Sequence, residues 1–94
     1  MIGHVVVFTW SDSADAETRT RSVAALRRLP EDVGGMTVAE DAGLTPGNAH
    51  AVLIADFPDA EAYSRYAQDP VHQAVIAEHI RPHLAARSAV QIEV

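Results

Sequence analysis

Five histidines, at positions 4, 50, 72, 79 and 83, give this chain of 94 residues an ample supply of groups that titrate near neutrality. Two tyrosines, Tyr63 and Tyr66, add phenol donors. His72 follows Asp69-Pro70, a pair that starts a helix with aspartate as N-cap and proline at the first helical position. In that first turn the positive end of the helix dipole disfavours an imidazolium, so His72 is expected to be neutral and available as a base. Tyr66 lies just across the Asp-Pro corner, where its hydroxyl can donate to a carbonyl oxygen that gains charge. Such a pair suits enolisation, aldol closure or tautomerisation. The competing reading is structural: buried histidines and tyrosines are often core groups with satisfied hydrogen bonds, and His72 could simply tie the corner to its surroundings.

Other chemistries are excluded by residue type. There is no cysteine, which removes disulfides, thiolate metal sites and thiol nucleophiles. All seven basic residues are arginine, so no lysine is present to form a Schiff base. The serines lack a Gly-x-Ser-x-Gly setting, and no phosphate-binding glycine loop occurs. His79 and His83 have the i, i+4 spacing of a ligand pair. Pro82 lies between them and no further cluster is evident, so no metal is assigned, and nothing specifies another cofactor. The formal net charge of −6, with the arginines scattered, argues against a nucleic-acid partner. No apolar run reaches membrane-spanning length and the start lacks a signal peptide's basic residues, so the expected location is the cytoplasm.

The chain is expected to form one domain over residues 1–94, with ordinary globular composition of 48% hydrophobic and 21% charged residues. Residues 2–10, IGHVVVFTW, read as a strand with Ile2, Val6, Phe8 and Trp10 on one face and Val5 and Val7 on the other. Ser13 and Asp15 are N-cap candidates for a helix over about 14–29, with Val23, Leu26 and Leu29 buried, stopped by Pro30 and Gly34-Gly35. A second strand is expected over 36–44, with Met36, Val38, Ala42 and Leu44 sharing a face. After the Thr45-Pro46-Gly47-Asn48 turn signal comes a third strand over 49–57. A short helix runs from Pro58-Asp59 to about Gln68, and another from Asp69-Pro70 towards Pro82. Residues 88–94, SAVQIEV, close the domain as a strand.

The resulting order, β-α-β-β-α-β with the second helix broken in two, is the split-βαβ pattern: an antiparallel sheet with helices on one face. The first and third strands are nevertheless apolar on both faces. The helices can cover only one, and a bare apolar sheet of that size would not stay in water. The expected cover is a second copy of the chain, packed through a two-fold interface. By the same phase argument, His4 runs with Val6 and Phe8, and His50 with Val52 and Ile54. If those faces lie under the helices, His4, His50, His72, His79, Tyr63 and Tyr66 converge on one otherwise apolar pocket suited to a small molecule.

The opening HVVVFTW, the Asp69-Pro70-x-His72 corner, the Ile80-Arg81-Pro82 helix end and the final VQIEV together resemble the stress-responsive A/B-barrel (Dabb) family. The resemblance covers nearly the whole chain and implies a dimeric α+β barrel, in agreement with the burial argument. A plant polyketide cyclase similar to this family closes an aromatic ring by aldol chemistry with a tyrosine and a histidine, which fall on Tyr66 and His72. Two strand histidines lining that cyclase's pocket fall on His4 and His50, which the resemblance makes substrate-binding. A further pocket tyrosine on the cyclase's first helix has no counterpart here, and the loop before the third strand is shorter. Two functions follow as expectations. One is a cofactor-independent acid/base enzyme acting on a small, largely apolar carbonyl compound. The other is a non-catalytic homodimer, stress-associated or ligand-binding, in which the same residues hold the corner together. An open cavity favours the first, and a collapsed one with His72 bonded only to backbone favours the second.

Overall fold

The β-branched and aromatic run Ile2–Trp10 forms a nine-residue strand, β1, at the middle of a four-stranded sheet. The computed structural model describes residues 1–29 and 35–94. After β1 come helix α1 (Ala16–Arg27), strands β2 (Met36–Glu40) and β3 (Ala51–Phe57), helices α2 (Ala60–Gln68) and α3 (Pro70–Val75), and strand β4 (Leu84–Glu93). The sheet order is β2-β3-β1-β4 and every pairing is antiparallel. This is the ferredoxin-like α+β arrangement the sequence pattern predicts.

Aspartates start all three helices, each accepting a backbone N–H: Asp15 from Thr18, Asp59 from Ala62 and Asp69 from Val71, at 2.7–2.8 Å. The expected stop of α1 at Pro30 and Gly34 lies outside the described residues. Beyond α3 the chain widens into a π-type turn, Ile76–Ile80, and then tightens into a 3₁₀ turn, Arg81–His83. The buried Ser22 on α1 holds this irregular stretch, its hydroxyl lying 2.7 Å from the His79 carbonyl and 3.0 Å from that of Thr18.

The third strand begins at Ala51, two residues later than expected, and two other strands differ more in extent. The second ends at Glu40, and Leu44, expected on a shared face with Val38, is 88% exposed. The Asp41 carboxylate accepts from the Gly43 N–H and from the Asn48 side chain, folding the segment into a turn instead of a ladder. Gly43 and Gly47 take positive φ there, a conformation that other residues adopt only with strain. The last strand begins at Leu84, earlier than the expected Ser88. Its pairing with β1 steps over Ala85 between Thr9 and Trp10, a bulge that returns Leu84 to the face of Trp10.

Register fixes which face each residue serves, because directly paired residues share a face. Val6, Phe8, Trp10, Val38, Ala51, Leu53 and Phe57 lie under the helices and pack with Leu26, Tyr66 and Ile80 into one core. The opposite face carries Val5, Val7, Val52, Ile54, Val90 and Ile92, with Ile54, Val90 and Ile92 between 42% and 53% exposed. Gly3 belongs to that face: a Cβ there would stand 3.1 Å from Cγ1 of Ile92, which crosses it. The two-faced strands are as expected, and their second face is bare in the single chain. Among the described residues no helix is long and apolar enough to cross a membrane.

Candidate functional site

Between the sheet and the later helices lies a cavity of about 680 Å³, within the range of small-molecule sites. The sheet contributes His4 from β1 and Arg87 from β4. The helices α2 and α3 contribute Tyr63, Tyr66 and His72, and Ile76, Ile80 and Arg81 from the following turns close one end. The cavity is open.

Tyr66 and His72 meet across the Asp69-Pro70 corner with ring centroids 4.2 Å apart. Tyr66 also packs on Phe57, at 5.1 Å between centroids. Its hydroxyl and the Nδ1 of His72 are both buried, and neither has a hydrogen-bond partner within the protein. Native structures seldom leave such atoms unpaired, and both residues line the cavity, which is where a partner could come from. Burial, and secondarily Tyr63, pushes the Tyr66 phenol up to about 12, so it remains a donor. Burial also holds His72 below the ordinary histidine value, with Arg87 acting in the same direction while the Ala67 carbonyl and Asp69 partly oppose them. The direction agrees with the neutral His72 expected from the helix dipole, but desolvation is its main cause.

His4 is almost fully buried and sits 5.0 Å from Tyr63 and 6.3 Å from Tyr66, centroid to centroid. The side-chain amide of Gln91, directly opposite on β4, donates to its Nδ1 at 2.9 Å, which leaves the ring proton on Nε2. Burial lowers the His4 pKa, and the positive charge of Arg87 lowers it further, with a smaller contribution from His72.

The other expected pocket residues lie elsewhere. His50 has the strand phase of Val52 and Ile54, and register places that phase on the face away from the helices. Its Nδ1 accepts the Trp10 backbone N–H at 2.9 Å, closing the end of the β1–β3 ladder, and it does not line the cavity. Phase alone could not have said which face of the third strand the helices cover. His79 is exposed beside Glu78, with 3.8 Å between its Nε2 and the Glu78 carboxylate. The π-type turn inserts an extra residue after Val75 and rotates His79 out while Ile80 turns in. The expected convergence of four imidazoles thus reduces to His4 and His72. In place of an otherwise apolar lining there are two guanidinium groups, Arg81 and Arg87. Arg87 escaped notice because the last strand was expected to begin only at Ser88, and Gln91, inside that strand, because its face was not assigned to the helices. The alternation of Arg87, Ala89 and Gln91 against Ser88, Val90 and Ile92 carries the signal.

The fold and the cavity beneath its helices define a ferredoxin-like α+β protein with an internal small-molecule-sized site. The sequence model of the stress-responsive A/B-barrel (Dabb) domain matches residues 2–94, and the chain belongs to that family. It is similar to a dimeric ferredoxin-like protein of unknown function from Thermobifida fusca, at 29% identity, with a TM-score of 0.90 over 99% of this chain and 90% of that one. A Dabb family protein with a ferredoxin-like fold from Mesorhizobium loti matches at 21% identity and a TM-score of 0.84, over 99% and 95% of the two chains. The hydroxynitrile lyase of Passiflora edulis shares the fold alone, at 10% identity, with a TM-score of 0.81 over 99% and 92%. No curated protein sequence matches the chain.

Proposed function

We propose that the protein is a homodimeric, cofactor-independent acid/base enzyme, cyclase- or isomerase-like, acting on a small carbonyl compound of the polyketide kind. One observation carries this reading: Tyr66 and His72 pack ring to ring, both line an open cavity, and the buried hydroxyl of one and Nδ1 of the other are unpartnered.

In this mechanism neutral His72 takes a proton from the carbon next to a bound carbonyl. The Tyr66 hydroxyl donates to the carbonyl oxygen as it becomes an enolate oxygen. The imidazolium then returns the proton at another carbon, which completes an isomerisation. Alternatively the enolate attacks a second carbonyl of the same molecule, and the imidazolium protonates the new alkoxide, which completes an aldol closure. The plant polyketide cyclase resembled by the chain uses a tyrosine–histidine pair in this way. His4, fixed by Gln91, positions the substrate through its Nε2–H, whereas the placement of His50 favours a structural role.

The bare face of the sheet, with Ile54, Val90 and Ile92 half exposed, supports packing against the same face of a second copy. The Thermobifida relative is described as dimeric.

The chemical proposal is tested with acetophenone in deuterated buffer, following loss of its methyl proton signal by NMR. The protein is expected to accelerate exchange, His72→Ala to abolish the acceleration, and Tyr66→Phe to reduce it by about 10²–10³. Exchange at the buffer rate while acetophenone occupies the cavity, or a His72→Ala variant as fast as the parent, would refute it.

A further inference from the structure

The charges around the cavity run opposite to those of the protein as a whole. The chain carries 13 acidic residues against seven arginines, yet the cavity lining contains Arg81 and Arg87 and no carboxylate among the described residues. Arg87 is also unengaged. Arg19 donates to the carbonyls of Ala14 and Ser11, Arg27 donates to that of Val38, and Arg65 pairs with Glu61. Arg87 makes neither a side-chain hydrogen bond nor an ion pair among the described residues, although it lines the cavity from its exposed edge.

Register makes its position obligatory. Arg87 pairs with Phe8, Ala89 with Val6 and Gln91 with His4, so all three face the helices. A slip of one residue would turn Arg87 outward and bring Val90 in, stripping the bare face of an apolar residue. Arg87 and Gln91 are four residues apart along β4, roughly 13 Å between Cα atoms. The guanidinium therefore stands towards one end of the cavity, with the Gln91–His4 pair towards the other. Its charge reaches both His4 and His72, helping to keep them neutral.

We propose that the substrate carries a carboxylate as well as its reacting carbonyl, and that Arg87 grips the carboxylate while the carbonyl faces Tyr66 and His72. This rests on the acid/base reading above and names the class of compound it acts on: small oxo-acids with an apolar body. A planar guanidinium matches a carboxylate through two parallel hydrogen bonds, and in a site with no competing acid it is the cavity's ready anion partner. Arg81 adds a second positive charge to the same lining.

The test uses β-benzoylpropionate and its uncharged amide, with binding to the intact protein followed by ligand-observed NMR at low salt. The parent is expected to bind the carboxylate at least tenfold more tightly than the amide. Arg87→Gln should remove that preference and leave amide binding within twofold of the parent, while Arg87→Lys should restore part of it. Equal affinity of the parent for both compounds would overturn the carboxylate assignment, as would an Arg87→Gln variant that keeps the preference. Binding of neither compound overturns it too. The acetophenone exchange assay contains no carboxylate, so it succeeds or fails with the Tyr66–His72 chemistry alone and keeps the two proposals separable.

Discussion

Replacing Tyr66 by phenylalanine should make the protein more stable and less active at once. The side chain is 8% exposed, and its ring packs on Phe57 at 5.1 Å and on His72 at 4.2 Å between centroids. Phenylalanine keeps those contacts and removes only the oxygen. That oxygen is buried without a protein partner, an arrangement that costs about 1–3 kcal/mol relative to a satisfied hydroxyl. Taking the lower part of that range leaves an expected gain of about 1 kcal/mol. For a domain of this length, 1 kcal/mol corresponds to a rise of about 4–8 °C in Tm. Thermal unfolding of parent and variant at one protein concentration measures it, since a dimer's Tm depends on concentration. In the exchange assay the same change should slow the reaction by about 10²–10³, the usual effect of losing a donor to a developing oxyanion. A variant destabilised by 1 kcal/mol or more would show that the hydroxyl holds the fold together. A stabilised variant with undiminished exchange would remove Tyr66 from the chemistry.

Stability should also depend on pH at both ends. His4 and His72 sit below the ordinary value of 6.5 when folded, so the unfolded chain binds more protons there. Stability is therefore full above about pH 6.5 and falls as the pH drops towards the folded values, which chemical denaturation at several pH values reads directly. Tyr66 is raised from 10.0 to about 12, so stability also falls as the pH rises through that interval, and Tyr66→Phe should remove this contribution. A pH profile flat below 6.5 in the parent would contradict the buried, neutral histidines. At the bare face, burying the exposed halves of Ile54, Val90 and Ile92 in both copies is worth about 6 kcal/mol. Ile54→Asp should therefore yield a monomer at micromolar concentration by sedimentation, because it loses apolar area and adds an unpaired charge. A parent that is itself monomeric there would refute the dimer. His50→Ala removes the acceptor of the Trp10 N–H and should cost about 1 kcal/mol of stability while leaving ligand affinity unchanged. A tenfold loss of affinity would return His50 to the site.

The fold was legible because local and global signals agree in this chain. Helix-starting aspartates at 15, 59 and 69 cap the helices they announce, and the two-faced run from Ile2 to Trp10 forms the central strand with both faces apolar. Tyr66 and His72 were legible for the same reason, since an Asp-Pro corner places its flanking residues by backbone geometry alone. His50 and His79 were misplaced by quantities that a single sequence does not contain. For His50 the missing fact was which of two apolar faces the helices would cover. That is decided by pairing with β1, which sets Ala51 against Phe8 and Leu53 against Val6. For His79 it was the π-type turn, whose extra residue leaves no mark in a hydrophobic stripe that already ends near Pro82.

The last strand links the proposed dimer to the proposed site. A strand at a sheet edge normally turns its apolar side to the core and its polar side to water. β4 does the reverse: Val90 and Ile92 face away from the helices, while Arg87 and Gln91 face beneath them. In a lone chain this inversion would be unfavourable twice, once for the bare valine and isoleucine and once for polar groups directed at a core. A second copy removes the first penalty by covering the apolar side. Gln91 escapes the second by bonding to His4, and the proposed carboxylate ligand would remove it for Arg87. The proposed dimer and the proposed ligand site are then two consequences of one register. A slip that exposed Arg87 would also empty the interface of Val90, so a change of register damages both together.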